Sequence, residues 1–266
     1  MAKKICITGS QGFIGTYLTP FLGESYQVVP FTGDLLDKTQ VADFFTANED
    51  VEVVVHLAGR FSGNLQELID INLTVFANLL EEGIRHNLKK VIYTSTGAVY
   101  GEPQGDESLE TDPLLPNTPY GLVKKFAEDL LQLFASQNGL DYDILRFPNV
   151  YGEGNNKGVV FSFLNAIKEK GVITINGDGE QARNFLHITD ACQAIGLAIE
   201  YPKSDIFNIS NPEVVSINDL VALLKEKYTF EVEYKPANNN LRNLLLNIDK
   251  AKNELGFDPK ITKVQL

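Results

Sequence analysis

Cysteine is almost absent from this sequence: Cys6 and Cys192 are the only two, each inside an apolar stretch. That usage argues against a disulfide framework and fits a reducing compartment. Histidine is nearly as scarce, and His56, His86 and His187 lack metal-ligand spacing, so no metal site is expected. Long apolar runs are missing as well. None approaches the ~18 to 20 residues of a membrane span, and the opening "MAKKICITGS" enters a strand with no apolar signal region. Positive charge is in deficit, with 23 Lys and Arg against 35 Asp and Glu, a formal net charge of −12 and a pI near 4.7. Such a surface does not coat phosphate backbones, which argues against nucleic acid as a partner but not against a small anion held by local donors. The expectation is a cytoplasmic protein with no membrane partner.

What is present is a globular composition, 44% hydrophobic and 22% charged, over 266 residues, enough for one large domain or two modest ones. The first two-thirds alternate short β-branched runs with longer helical patterns. "KICITG", "YQVVPF", "VEVVVHLAG", "KKVIYTST" and "DYDILRF" lack strict polar alternation, as strands buried on both faces do. Between them stand the helical stretches "FIGTYLTPFLGE", "KTQVADFFTAN", "LIDINLTVFANLLEEGIRHN" and "YGLVKKFAEDLLQLFASQNG". Strand, crossover helix and strand in repetition predict a mainly parallel sheet with helices on both faces. After residue 150 the pattern loosens into a loop, the helix "VVFSFLNAIKEKG", strands within "ITINGDGEQARNFLHITD" and "FNISN", and the helix "INDLVALLKEKY" capped by Ser216. The fold class expected is α/β, a doubly wound parallel sheet with a small C-terminal α/β cap. Residues 1–150 with 186–212 form the sheet domain and 151–185 with 213–266 the cap.

In "ITGSQGFIGTYL", Gly9, Gly12 and Gly15 fall between the first strand and the first helix, with Phe13 and Ile14 among them. Glycines there permit a tight turn and close approach of backbone to a pyrophosphate, while the helix N-terminus presents free N–H groups to it. The position directly after a strand and before a helix makes this a dinucleotide cradle rather than a ligand-free turn. In "PYGLVKK", Tyr120 and Lys124 stand at i and i+4 on one face of a helix. A phenol near pKa ~10 is a poor base at neutral pH, and a neighbouring ammonium lowers that value. The alternative for the isolated pair is a solvated helix face.

The G-x-x-G-x-x-G spacing resembles the short-chain dehydrogenase/reductase superfamily, and further matches follow along the chain. Asp34 in "GDLLD", with Leu35 beside it, resembles an adenine-contacting aspartate. Leu57, Ala58 and Gly59 in "VVHLAG" match the loop that runs beside the cofactor. "IYTSTGAVYG" matches the strand delivering a catalytic Thr, here Thr96, and "PYGLVK" matches the Y-x-x-x-K pair. The resemblance implies Thr96, Tyr120 and Lys124 as the catalytic trio, with Tyr120 as base, Lys124 tuning it and both beside the cofactor. The second strand ends at Thr32 and Gly33 without the carboxylate that would hold an NAD ribose, and no Arg is near for a 2′-phosphate. NAD is the expected cofactor, with NADP open.

The resemblance narrows to the extended group that acts on nucleotide sugars and covers nearly the whole chain. "LRFPNVYGEG" implies Asn149 as a substrate contact and Pro148 as a neighbour of the nicotinamide. "GDGEQARNFLHITD" implies that Arg183 holds the substrate diphosphate, a surface salt bridge being the alternative, and Asn184 stands where the group carries Asp. Arg242 is a further candidate for the nucleotide. Asn72 is read either as a cofactor-side contact or as a helix-packing amide. Directly after Thr96 come Gly97 and Ala98, where the group's 4,6-dehydratases carry an Asp–Glu pair. Elimination of water would lack its acid and base, whereas 4-epimerases have small residues at this spot. The resemblance thus implies an NAD-dependent epimerase of a UDP- or dTDP-linked sugar, acting through a transient 4-keto sugar as a homodimer. The alternatives are a 4-keto-sugar reductase, suggested by the clipped region before "GDLLD", and a non-catalytic dinucleotide sensor.

Overall fold

The computed structural model describes residues 2–103, 105–236 and 243–265. The sheet domain opens with β1 (Lys4–Thr8), α1 (Phe13–Gly23), β2 (Gln27–Phe31), α2 (Lys38–Ala47) and β3 (Val51–His56). A helical stretch follows as α3 (Leu65–Ile69), a π turn (Asp70–Thr74) and α4 (Val75–Arg85). Then come β4 (Lys90–Thr96), α5 (Pro119–Asn138) and β5 (Asp141–Phe147). The next segment carries β6 (Asn149–Tyr151), α6 (Gly158–Lys170), β7 (Val172–Asn176), β8 (Ala182–Arg183) and β9 (Phe185–His187). The chain returns to the sheet with α7 (Ile188–Glu200) and β10 (Asp205–Asn208), then adds β11 (Val215–Ser216), α8 (Ile217–Lys225) and β12 (Glu231–Lys235).

The main sheet has the order β10-β5-β4-β3-β1-β2 and every pairing in it is parallel. Pro30 lies in β2, at the edge, where a missing N–H breaks no ladder. The strands are buried along nearly their whole length because both faces are covered. On one face, Ile5, Ile7, Ile92 and Leu145 pack with the buried residues of α1 and α7. On the other, Cys6, Val54, Val91, Tyr93 and Ile144 pack against α2, α4 and α5. A separate core joins Phe163 of α6, Ile173 and Ile175 of β7, and Leu220, Val221 and Leu224 of α8.

Local chemistry sets the helix ends. Asp37 accepts from Thr39 N at the start of α2, and Ser216 with Asp219 forms a capping box on α8. The helix after "HLAG" begins at Leu65, three residues before the sequence pattern indicates, because Asn64 and Glu67 form another capping box.

One buried ion pair lies far from the strand ends that concern function. Lys90 Nζ stands 2.7 Å from Asp143 Oδ2, both side chains almost wholly buried. Burial pushes the Asp143 carboxyl up to about 7 while Lys90 pulls it down. A folded value above the unfolded one means stability that is full below the unfolded value, near 3.8, and lost as pH rises through about 7. Asp143→Asn removes that loss, so its stability relative to the parent should rise between pH ~4 and ~8. Urea unfolding across that range checks this, and a pH-independent difference would contradict it.

Candidate active site

Strand order reverses between β1 and β3, the place where open α/β sheets bind ligands beyond their carboxyl ends. The loops after these two strands meet there. Gly9 has φ +71°, and a Cβ on it would sit 2.7 Å from Ala58 N, so the backbone approach requires glycine. Gly12 caps α1 with no side-chain hydrogen bond, leaving the first N–H groups of the helix to a ligand.

Two hollows share Gly9 and Gly12 as a common wall. The smaller, about 300 Å³, is bordered by Thr32, Asp34, Leu35 and Ala58. Asp34 is the one charged residue among those lining it. Its Oδ1 accepts from Leu36 N at 2.9 Å, and Asn78 Nδ2 donates to Leu35 O at 2.9 Å, which fixes the loop after β2. The larger, about 530 Å³, runs past Phe13, Ile14, Gly15, Leu57 and Gly59 to Thr96, Tyr120, Pro148, Asn149 and Arg183. A dinucleotide fits this arrangement, with its adenosine over the smaller hollow, its pyrophosphate at the α1 N-terminus and its other half in the larger hollow.

α5 places the candidate base. Thr118 accepts from Gly121 N at 3.1 Å and Pro119 is the first helical residue, so Tyr120 stands in the first turn. A Cβ on Gly121 would fall 2.5 Å from Ala98 O, so only glycine lets the helix come this close to the end of β4. Tyr120 then lines the larger hollow beside Thr96. Burial pushes Tyr120 up to about 12, and Thr96 acts the other way. Lys124 does not line the hollow; it is buried beneath it. Its Nζ donates to Thr94 O at 2.7 Å and lies 4.0 Å from the centre of the Tyr93 ring. Burial pulls Lys124 down to about 7, with Glu128 pulling it up. The neighbour that favours the Tyr120 phenolate is therefore Thr96, and Lys124 is turned to β4.

At the other end of the larger hollow, Arg183 Nη1 donates to Ala182 O at 2.7 Å, and burial lowers the guanidinium's proton affinity. Sequence reasoning missed its companions. α6 begins at Gly158 behind Lys157 with no side-chain cap, and Gly158, Val159 and Val160 face the hollow. The signal was the glycine before an apolar helical run. Phe61 and Leu244 border the same space, and no sequence pattern marks them.

Asn72 borders neither hollow. It is buried, accepting from Arg60 N at 3.0 Å and donating to Arg60 O and Leu68 O, which makes it a packing amide for the loop after β3. Asn184 has its own reason to differ from Asp. It donates to Glu213 O at 3.1 Å and accepts from Leu246 N at 2.8 Å, a double duty that a carboxylate cannot perform. Arg242 lies outside the described residues. Among the described residues, no three His, Cys, Asp or Glu side chains are grouped to hold a metal, and no helix is long and apolar enough to cross a membrane.

The profile of the "NAD dependent epimerase/dehydratase family" matches residues 5–210. A putative UDP-glucose 4-epimerase of Methanocaldococcus jannaschii is 32% identical over 97% of this chain and 93% of its own length. A dTDP-4-dehydro-6-deoxyglucose reductase of Escherichia coli is 30% identical over 97% and 93%. The crystal structure of UDP-glucose 4-epimerase from Thermotoga maritima with UDP-glucose superposes with a TM-score of 0.89 at 31% identity, covering 97% of this chain and 94% of that one.

Proposed function

The chain belongs to the NAD dependent epimerase/dehydratase family, and from that footing we propose that it is a nucleotide-sugar 4-epimerase. The observation that carries the reading is one hollow lined together by Thr96, Tyr120 and Arg183. Next to Thr96 are Gly97 and Ala98, so no carboxylate is available at that point for elimination.

NAD, when bound, supplies a reversible hydride acceptor. NAD is favoured over NADP because Asp34 is the one charged residue lining the adenosine hollow, and it would repel a 2′-phosphate. Tyr120 accepts the proton of the sugar 4-hydroxyl, and Thr96 holds the same oxygen and steadies the phenolate. A permanent cation with a planar donor fork suits a diphosphate, the task of Arg183 beside the α6 N-terminus. Held mainly by its diphosphate, the 4-keto sugar can turn and present its other face, so that Tyr120 returns the proton to the epimeric alcohol. Residues 1–150 with 186–212 serve the cofactor and residues 151–185 with 213–266 the substrate; the latter carry an apolar core around α6, β7 and α8, while Ala251, Leu255 and Phe257 pack back into the core of the sheet.

Leu122, Phe126 and Leu133 are exposed along α5, and Phe126 and Leu133 border a shallow depression with Leu73 and Ala77. That apolar face supports a homodimer through α4 and α5. Cys6 and Cys192 are both free and buried, which suits a cytoplasmic setting.

The test is to incubate the purified protein with UDP-glucose and no added nucleotide, and to identify the cofactor released on denaturation by mass spectrometry. Formation of UDP-galactose with near-stoichiometric NAD is the expected result. Conversion of a 4-keto sugar only when NADPH is added would replace this reading with the reductase.

A further inference from the structure

Ser95, Glu128 and Arg146 form a buried cluster directly beneath the candidate trio. Glu128 follows Lys124 by one helical turn on α5, which carries Tyr120, Lys124 and Glu128 at i, i+4 and i+8. Its Oε2 accepts from Arg146 Nη2 at 2.7 Å, and its Oε1 accepts from Arg146 Nε at 3.2 Å and from Ser95 Oγ. Ser95 and Arg146 are register partners on β4 and β5. Both continue the rows that face α5, after Tyr93 on one strand and Ile144 on the other. One carboxylate thus ties the helix to two strands at once. The tie lies one residue before Thr96 on β4 and two before Pro148 after β5. Lys124 is bonded to Thr94 O on the other side of Ser95. From Arg146 the network runs on through the Tyr100 hydroxyl at 2.8 Å to Asn208 Oδ1 at 2.7 Å.

We propose that Glu128, clamped by Ser95 and Arg146, is a positioning residue that sets the seat of α5 on β4 and β5 and thereby holds Tyr120 at Thr96 and Lys124 at Thr94. A helix fixed at one point by packing alone can slide along a strand, and sub-ångström slides cost proton transfer heavily. The clamp carries a charge as well as a tether. Lys124 is faced by Glu128 and Tyr120 from its own helix, by Tyr93 from β4, by His56 from β3 and, across Glu128, by Arg146 from β5. The preceding loop adds Glu110, whose carboxylate accepts from Asn208 N. Of these, Glu128 is the anion that favours the Lys124 ammonium.

The activity arm rests on the 4-epimerase reading; the second arm does not. Ser95→Ala removes the strand tether and leaves the Glu128–Arg146 pair, so the fold survives. It should lower kcat for UDP-glucose by about 10- to 100-fold with little change in KM. Glu128→Gln should move the titration midpoint of Lys124 down, read by NMR of ε-labelled lysine and assigned with Lys124→Met; a merely structural residue would leave that midpoint in place. The pair Glu128→Gln/Arg146→Met, which removes both charges, should restore the midpoint toward the parent's without restoring kcat. An unmoved Lys124 midpoint in Glu128→Gln overturns the proposal, as does full kcat in Ser95→Ala. A parent protein inactive on UDP-sugars whose Lys124 midpoint shifts as stated would sink the epimerase reading alone.

Discussion

Tyr120→Phe leaves the protein folded, with its dinucleotide bound, and lowers turnover of UDP-glucose by about 100- to 10,000-fold, the range general-base removal commands. The change deletes one oxygen from a side chain whose ring still fills its place in the first turn of α5. The structural cost is at most that of one polar contact, on the order of 1 kcal/mol. The catalytic cost is larger by a simple argument. About 1.4 kcal/mol corresponds to each tenfold in rate, so the expected loss is about 3 to 5 kcal/mol, more than a neutral hydrogen bond supplies. The difference is the proton affinity of the phenolate. With the hollow bare, burial pushes Tyr120 up to about 12, so it is a phenol. A positive nicotinamide in the same hollow opposes that burial effect. The rate of the parent protein should therefore climb with pH through the neutral range, and the residual rate of the variant should not. Turnover within about threefold of the parent would remove Tyr120 from the mechanism.

Much of this site was legible because its signals are local. Gly9 and Gly12 lie between β1 and α1 as expected, whereas Gly15 falls in the first turn of α1, where a Cβ would stand 2.4 Å from Gly9 O. Thr118-Pro119 before Tyr120 likewise announces a helix start. What escaped depends on contacts between distant segments. α7 was passed over although Ile188, Ala191, Cys192, Ile195, Ala198 and Ile199 recur at helical spacing and are buried on the face it turns to the sheet. Nothing in the sequence pairs Glu128 with Arg146; the register that sets Ser95 beside Arg146, under α5, brings them together in the core. Asn72 kept two readings because a buried amide and a ligand contact have the same sequence signature, and its bonds to Arg60 and Leu68 are what separate them. The π turn Asp70–Thr74 that carries it is equally silent in the pattern.

Gly9→Val should abolish dinucleotide retention while leaving a folded chain. Two effects act together. At φ +71° a β-branched residue is strained, at about 1 to 3 kcal/mol. Its Cβ would also stand 2.7 Å from Ala58 N, closer than real contacts allow, and 3.0 Å from Ala58 Cα. The loops after β1 and β3 must then part, and the floor shared by the two hollows parts with them. Affinity for NAD should fall at least ~100-fold, since every donor at the α1 N-terminus shifts away from the pyrophosphate at once. Gly139→Val separates the causes. Gly139 has φ +64° at the end of α5 with nothing within 4 Å of a Cβ, so it suffers the same backbone strain without the collision. Calorimetric unfolding should report destabilisation in both variants, larger at Gly9 where the collision adds to the strain, while equilibrium binding of NAD should be lost only at Gly9. Equal NAD affinity in both would mean that the close approach of Gly9 to Ala58 does not shape the cradle.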